Sequence, residues 1–283
     1  GKTTLCEAML YIAGASDRLG RVADGNTVLD FDSEEKRRKS SVSSAIAALE
    51  WDNTKLNIID APGLFDFEGG AAEAVRAAEA VLIVTSAGSG VDVGTEKAFR
   101  AAEKKGAAKF FAVTKTDSDH RNFYKTFDAL KEVYGNKLCP TIIPYMEGNI
   151  TKCYVNLMTG MAFSYDENGK ATKVPVPEDS VIEEMTSAFM EAVATTDDAL
   201  MEKFFEGEKF TKEEILKGLC IGIFDGSIYP VYAVSGLTCA GVDQLLYGLA
   251  WSAPGAFGYA GEKCTYENGE EGILPCDENG PLA

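Results

Sequence analysis

The sequence predicts a mostly parallel α/β sheet flanked by helices, with an α+β block inserted late in the chain. Three observations carry that reading. Apolar runs of strand length are nearly continuous, as in strands buried on both faces of a sheet. Helical patterns lie between those runs, the alternation that builds βαβ units. From residue 151 the rhythm breaks into a polar hairpin followed by consecutive helices.

The expected strands are Leu56–Ile59, Ala80–Val84, Phe110–Val113 and Val231–Val234. Residues 71–80 read AAEAVRAAEA, a helical composition. Residues 94–105 place Ala98, Phe99, Ala101 and Ala102 at helical spacing. Over 122–134, Phe123, Phe127, Leu130 and Val133 share one face at spacings of four, three and three, and Gly135 ends that helix. In the late block, Tyr154 to Phe163 and Lys170 to Val176 form a hairpin joined at Asp166-Glu167-Asn168-Gly169. Helices follow over about 180–195 and 197–205, and a third after Thr211, where Thr-Lys-Glu-Glu suits a capping box. Residues 151–230 hold fifteen acids and seven lysines, carry −8 of the net charge, and sit as an insertion between the last two strands.

Composition excludes several classes. The 283 residues carry 27 Lys+Arg against 44 Asp+Glu, a net charge of −17, with 46% hydrophobic residues. That apolar share forms a core and excludes a disordered chain. No run approaches the ~20 apolar residues of a spanning helix, and the start lacks a basic-then-apolar signal pattern, so no membrane is expected. The seven cysteines are an odd number with no two within ten residues, against a CxxC metal site or a disulfide framework. This implies a reducing cytosol and a cytoplasmic protein. Strong acidity disfavours non-specific nucleic-acid binding, so no DNA partner is expected. His120 is the lone histidine and reads as a solvated residue beside a helix start.

The chain starts at Gly1 without an initiator Met, and 253–283 hold six Gly, three Pro and six acids against one Lys. The reading is a fragment of a longer protein. Its tail is a linker with one hairpin, Cys264–Tyr266 turning near Asn268-Gly269 into Gly272–Leu274.

Four short elements carry chemistry. Gly1-Lys2-Thr3-Thr4, running into Leu5-Cys6-Glu7-Ala8, is the second half of a phosphate-binding loop entering a helix. Glycine lets backbone N–H groups close on phosphate, lysine reaches the β- and γ-phosphates, and the Thr3 hydroxyl ligates Mg²⁺. Asp60-Ala61-Pro62-Gly63 ends an apolar strand; the Asp can hold a Mg²⁺-bound water and the Gly63 N–H can meet a γ-phosphate. Thr114-Lys115-Thr116-Asp117 ends another strand. The Asp117 carboxylate accepts from guanine N1–H and the 2-amino group, a pattern that adenine lacks. The Lys115 stem can lie over the base. Ser235-Gly236-Leu237 follows the last strand and can offer a backbone N–H to the guanine carbonyl. Each element alone is an ordinary turn; four in this order, each at a strand end or helix start, are not.

With these residues the chain resembles the translational GTPases, specifically the elongation factor G family, over nearly its whole length. Arg21–Val28 and Asp30–Glu35 look like the stretch leading into that family's first switch, and Ser41 falls where the family has its Mg²⁺-ligating threonine. Leu49–Trp51 leading to Asn57–Gly63 is similar to its strand pair, and Asp66-Phe67 continues its second switch. The resemblance implies a P-loop GTPase that binds GTP, GDP and Mg²⁺. Residues 1–150 plus 231–252 would form the nucleotide domain, 151–230 an inserted subdomain, and 253–283 a linker and the start of a second domain.

Three departures stand out. Leu64 occupies the place of the family's water-positioning histidine, Thr114 replaces its asparagine, and Lys39-Ser40-Ser41 replaces Gly-Ile-Thr. The resemblance implies Gly1, Lys2, Thr3 and Thr4 on phosphate and Thr3 and Ser41 on Mg²⁺. Asp60 would stand behind the metal, with Ala61, Pro62 and Gly63 at the γ-phosphate and Leu64 at the water position. Thr114, Lys115, Asp117, Ser235, Gly236 and Leu237 would read guanine. Implied partners of the monomer are the ribosome, its RNA meeting Lys36–Lys39, and a stalk protein meeting the acidic insertion. Because Leu64 cannot orient water, a ribosome-binding switch with weak hydrolysis is an alternative, as is a ribosome-protection GTPase of the tetracycline-resistance type. A P-loop ATPase is disfavoured by Asp117.

Overall fold

The computed structural model describes residues 1–117, 122–148, 150–258, 261–277 and 279–280. His120 and the tail residues Glu278 and 281–283 lie outside the described residues. In chain order the larger elements are α1 (Lys2–Ile12), α2 (Ser33–Arg38), β1 (Ala45–Trp51), β2 (Thr54–Asp60), α3 (Glu68–Ala77), β3 (Ala80–Ser86) and α4 (Val93–Lys105). Then come β4 (Ala108–Thr114), α5 (Phe123–Tyr134), β5 (Leu138–Glu147), β6 (Ile150–Asn156), β7 (Met161–Tyr165) and β8 (Ala171–Val174). The chain continues through α6 (Ser180–Ala194), α7 (Asp198–Glu206), α8 (Lys212–Asp225), β9 (Tyr229–Ala233) and α9 (Val242–Ser252), and closes on β10 (Glu262–Thr265) and β11 (Glu271–Leu274).

Seven strands form one sheet in the order β3-β4-β9-β5-β6-β7-β8. The half from β3 to β5 is parallel and the half from β5 to β8 antiparallel. The expected α/β class with a parallel core holds, and β6, β7 and β8 extend that core. Every residue of β4 is buried, as its unbroken apolar run requires. Phe110 and Phe111 point to opposite faces of β4, and both are fully buried. Phe123, Phe127 and Leu130 of α5 and Phe189 of α6 are buried in the same core, at about 1.5–3 kcal/mol of transfer free energy each.

Three expectations need correction. Leu56–Ile59 does not lie in the parallel sheet: β2 pairs antiparallel with β1, from Ala45 opposite Asp60 to Trp51 opposite Thr54. The cause is the two-residue turn Asp52-Asn53, both with positive φ, which folds β2 straight back on β1. The strand β5 is absent from the expected set; it carries Pro140 and Pro144, residues unfavourable in a central strand, and its register shifts between Pro140 and Ile142. Third, the expected hairpin arm Tyr154–Phe163 is itself two strands. Asn156 caps a tight turn by accepting from the Thr159 N–H through its side chain (3.1 Å), and Gly160 takes the left-handed conformation. The turn at Asp166–Gly169 lies where expected, as do the tail strands β10 and β11.

Candidate nucleotide site

At the phosphate end, Gly1 caps α1 and its carbonyl accepts from Leu5 N–H (3.0 Å). The helix starts without a side-chain cap, so its first N–H groups face outward where an anion can meet them. Lys2 reaches across to β2: a Cβ built on Gly63 would lie 2.4 Å from the Lys2 Nζ. Only glycine leaves the ammonium that close to the turn after Asp60. Ala61 and Pro62 form that turn, with Pro62 buried and Gly63 exposed.

The two expected metal-holding hydroxyls meet. Thr3 Oγ1 and Ser41 Oγ are 3.0 Å apart and buried, although 38 residues separate them. Ser41 donates its hydrogen to Asp30 Oδ1 (2.8 Å), so its lone pairs face Thr3. Asp60 stands behind Thr3, 3% exposed, with Oδ1 lacking any hydrogen-bond partner. Burial pushes the Asp60 carboxyl up to about 6, against the downward pull of the Thr3 hydroxyl and the Lys2 ammonium. An orphaned, buried carboxylate oxygen is a costly arrangement unless something positive meets it.

Sequence reasoning missed what holds Ser41 in place. Glu35, 1% exposed, sits inside α2 and closes both ends of the segment. Its Oε2 accepts from Asp32 N–H (3.1 Å), and its Oε1 accepts from Val42 N–H (2.9 Å) and Ser43 N–H (3.2 Å). Glu7 on α1, four residues after Thr3, accepts from Val28 and Leu29 N–H (2.8 and 3.0 Å) and so fixes the approach to Asp30. The signal was present, since Glu7 falls on the buried face of α1 with Leu5, Ala8 and Met9. The basic run is ordered too: Arg37 and Arg38 both hydrogen-bond Glu34, whose carboxyl they hold down to about 2, and Lys39 Nζ donates to the Ala23 carbonyl (2.6 Å).

Leu64 is 47% exposed and begins a short 3-10 turn, Phe65–Phe67. Phe65 is exposed as well, with the Lys97 ammonium 4.3 Å from its ring centroid.

At the base end, β4 delivers Thr114 through Asp117. The Thr114 hydroxyl donates to the Thr85 carbonyl (3.0 Å) and Ala87 N–H closes on the Thr114 carbonyl (2.9 Å), so Thr114 is tied to β3. Lys115 takes positive φ and is exposed, as is Asp117, while Thr116 between them is buried. On the neighbouring strand, Ser235 is fully buried: its N–H bonds the Ala240 carbonyl and its hydroxyl accepts from Thr238 N–H (3.2 Å). Gly236 has no room for a side chain, because a Cβ there would lie 3.1 Å from backbone atoms of Thr4 and Leu5. This contact joins the base end to the phosphate end. Leu237 is 48% exposed at the loop tip. The structure thus brings the four predicted elements to one edge, at the C-terminal ends of β2, β4 and β9 and the start of α1.

The chain also matches known proteins. Residues 1–254 match the family model described as the elongation factor Tu GTP binding domain. The chain is 31% identical over 286 aligned positions to the elongation factor G-like protein of Mycobacterium tuberculosis strain CDC 1551 / Oshkosh, covering 100% of this chain and 39% of that protein. The protein of the same description in strain ATCC 25618 / H37Rv matches equally. The chain therefore spans about two fifths of the length of these relatives. Among solved structures, ttk003000868 from Thermus thermophilus superimposes with a TM-score of 0.84 at 31% identity, over 97% of this chain and 46% of that one.

Proposed function

The chain belongs to the elongation factor Tu GTP-binding-domain family, and from that membership we propose that it is the nucleotide-binding part of an elongation-factor-G-like protein that hydrolyses GTP to GDP on the ribosome. The observation that carries the proposal is the corner where Lys2 meets Gly63 and the Thr3 and Ser41 hydroxyls meet in front of an unpartnered Asp60 oxygen. That donor set fits Mg²⁺. It offers hard oxygens only, with the Thr3 and Ser41 hydroxyls 3.0 Å apart in front of the buried carboxylate, and such oxygen donors suit Mg²⁺. Thr3 and Ser41 would hold the ion and Asp60 would hold its water; the ion, when bound, neutralises phosphate charge. Gly1, Lys2 and Thr4 hold the phosphates with the backbone of α1, and Gly63 N–H senses the last of them. Lys115, Asp117 and the Ser235–Leu237 turn read guanine.

Catalysis by these residues is positioning and electrostatics, with no general base among them. Leu64 favours a second reading. An apolar, half-exposed side chain at the water-orienting position supports a protein that binds the ribosome in a GTP-dependent way and hydrolyses slowly. Residues 151–230, read as the inserted subdomain beside a nucleotide domain of 1–150 and 231–252, offer a partner surface. There, a groove of about 560 Å³ is lined by the apolar Val176, Ile182, Met190 and Phe204 and by the acids Glu178, Asp179, Glu183 and Glu208. Those acids suit a basic stalk protein, and α2 suits ribosomal RNA phosphates. Among the described residues no helix is long and apolar enough to cross a membrane. The translation-factor family supports reading the protein as cytoplasmic, and we read it as a monomer.

The test is GTP turnover by the natural protein, with and without ribosomes, at saturating Mg²⁺. Strong stimulation supports a working translational GTPase. No stimulation alongside tight GTP-dependent ribosome binding supports the slow switch. Tighter ADP than GDP binding overturns both.

A further inference from the structure

The residue between Lys115 and Asp117 does not face the nucleotide edge. Thr116 is 3% exposed, and its hydroxyl lies 3.1 Å from the Val234 carbonyl and 2.7 Å from the Tyr154 hydroxyl. A threonine has one hydrogen to give. Val234 offers only a carbonyl, so Thr116 donates there and Tyr154 donates to Thr116. The result is a directed chain from Tyr154 on β6 through Thr116 to the end of β9. Tyr154 is 4% exposed and stacks edge-on to Tyr165, ring centroids 5.5 Å apart; Tyr165 in turn donates to Asp243 Oδ1 (2.6 Å) on α9. Burial raises the Tyr154 pKa well above the usual tyrosine range, so its hydroxyl keeps its proton at any working pH. Thr151, also on β6, donates to the Thr116 carbonyl (3.0 Å). The turn between β7 and β8 braces the other base-reading loop, since a Cβ on Gly169 would lie 2.4 Å from the Cys239 Cβ.

We propose that Tyr154 is a positioning residue for guanine recognition: its hydroxyl, through Thr116, fixes the loop that aims Lys115 and Asp117. Thr114, standing where the family has an asparagine, is committed to the Thr85 carbonyl and does not supply that brace. The segment 115–117 is instead pinned from the far side by β6. The inference rests on the guanine-reading role proposed above for Asp117.

The test compares GDP with IDP, which lacks the 2-amino group that Asp117 accepts. Binding of fluorescent derivatives of both is measured for the natural protein and for Tyr154→Phe, Thr116→Val, the double variant and Thr116→Ser. A hydrogen bond of ordinary strength predicts that Tyr154→Phe and Thr116→Val each reduce the GDP-over-IDP preference by about three- to tenfold, with IDP affinity little changed. The double variant should lose no more than either single one, and Thr116→Ser, which keeps the hydroxyl, should retain the preference. An unchanged preference overturns the proposal. So does an equal loss for GDP and IDP, the signature of a merely loosened fold. If the unaltered protein shows no preference of GDP over IDP or ADP, the guanine-reading role itself fails, an outcome distinct from the other two.

Discussion

Asp60 gives a stability prediction that runs against the usual direction for a carboxylate. Its side chain is buried, one oxygen has no partner, and its pKa is raised from an ordinary 3.8 to about 6. Between pH about 4 and 6 the folded chain therefore keeps a proton that the unfolded chain has released. Stability from this group is complete below pH 4 and is lost as pH rises, levelling off above pH 6. Two units at 1.36 kcal/mol each make the loss about 3 kcal/mol. Asp60→Asn removes the charge and keeps the shape, so in EDTA it should stabilise the fold by about 2–3 kcal/mol at pH 7.5 and by nearly nothing at pH 4. Urea unfolding of both proteins at the two pH values, followed by tryptophan fluorescence, measures this difference. Saturating Mg²⁺ and GDP should reverse the order at pH 7.5, because a bound cation favours the ionised carboxylate. A difference between the two proteins that stays constant from pH 4 to 7.5 in EDTA refutes the account of Asp60.

Other predictions follow from the same geometry. Leu64→His should raise ribosome-stimulated GTP turnover by at least about tenfold, read as phosphate release; an unchanged rate means the missing histidine does not limit hydrolysis. Glu35→Ala releases Asp32, Val42 and Ser43 N–H groups together, so limited proteolysis should cut within 32–43 many times faster while the melting of the sheet core changes little. Thr211→Ala breaks the capping box in which Thr211 and Glu214 satisfy each other's backbone N–H groups, and should cost about 1 kcal/mol in urea unfolding.

The legible parts of the fold were those with local causes. β4 is apolar throughout and buried throughout. The helix α5 has its apolar face, an Asn122 cap that accepts from Tyr124 and Lys125 N–H, and a terminating Gly135. The illegible parts had conflicting local signals. The strand β5 carries two prolines, and the apolar residues Leu157 and Met158 concealed a turn that Asn156 and Gly160 dictate. The helix α9 lacked a start signal, since it follows Gly241 with no side-chain cap. Its apolar residues Val242, Leu245 and Leu246 are decided by packing against the rest of the core.

At the site, residue types at motif positions could be read, but their hydrogen-bond partners could not. Thr3 and Ser41 could each be named from position, yet their approach to 3.0 Å depends on Asp30, Glu7 and Glu35, three buried carboxylates whose hydrogen-bond partners no local pattern marks. The same limit governs how a departure from a family pattern is judged. Thr114 in place of asparagine reads as a weakened contact to the base or to the phosphate loop. The structure turns its hydroxyl to Thr85 and gives the neighbouring Thr116 a partner on β6, three places along the sheet from β4, which no local pattern marks. Leu64 is different in kind. An asparagine's hydrogen bond can be replaced from another strand because it needs only a partner in reach. An exposed leucine offers no hydrogen bond that another residue can redirect, and on the proposed reading Lys2, Asp60 and Ser41 are already engaged at the phosphate end. On the proposed reading the guanine end tolerates its substitution through Tyr154, whereas the hydrolytic end has to draw its water-orienting group from outside these residues or turn over slowly.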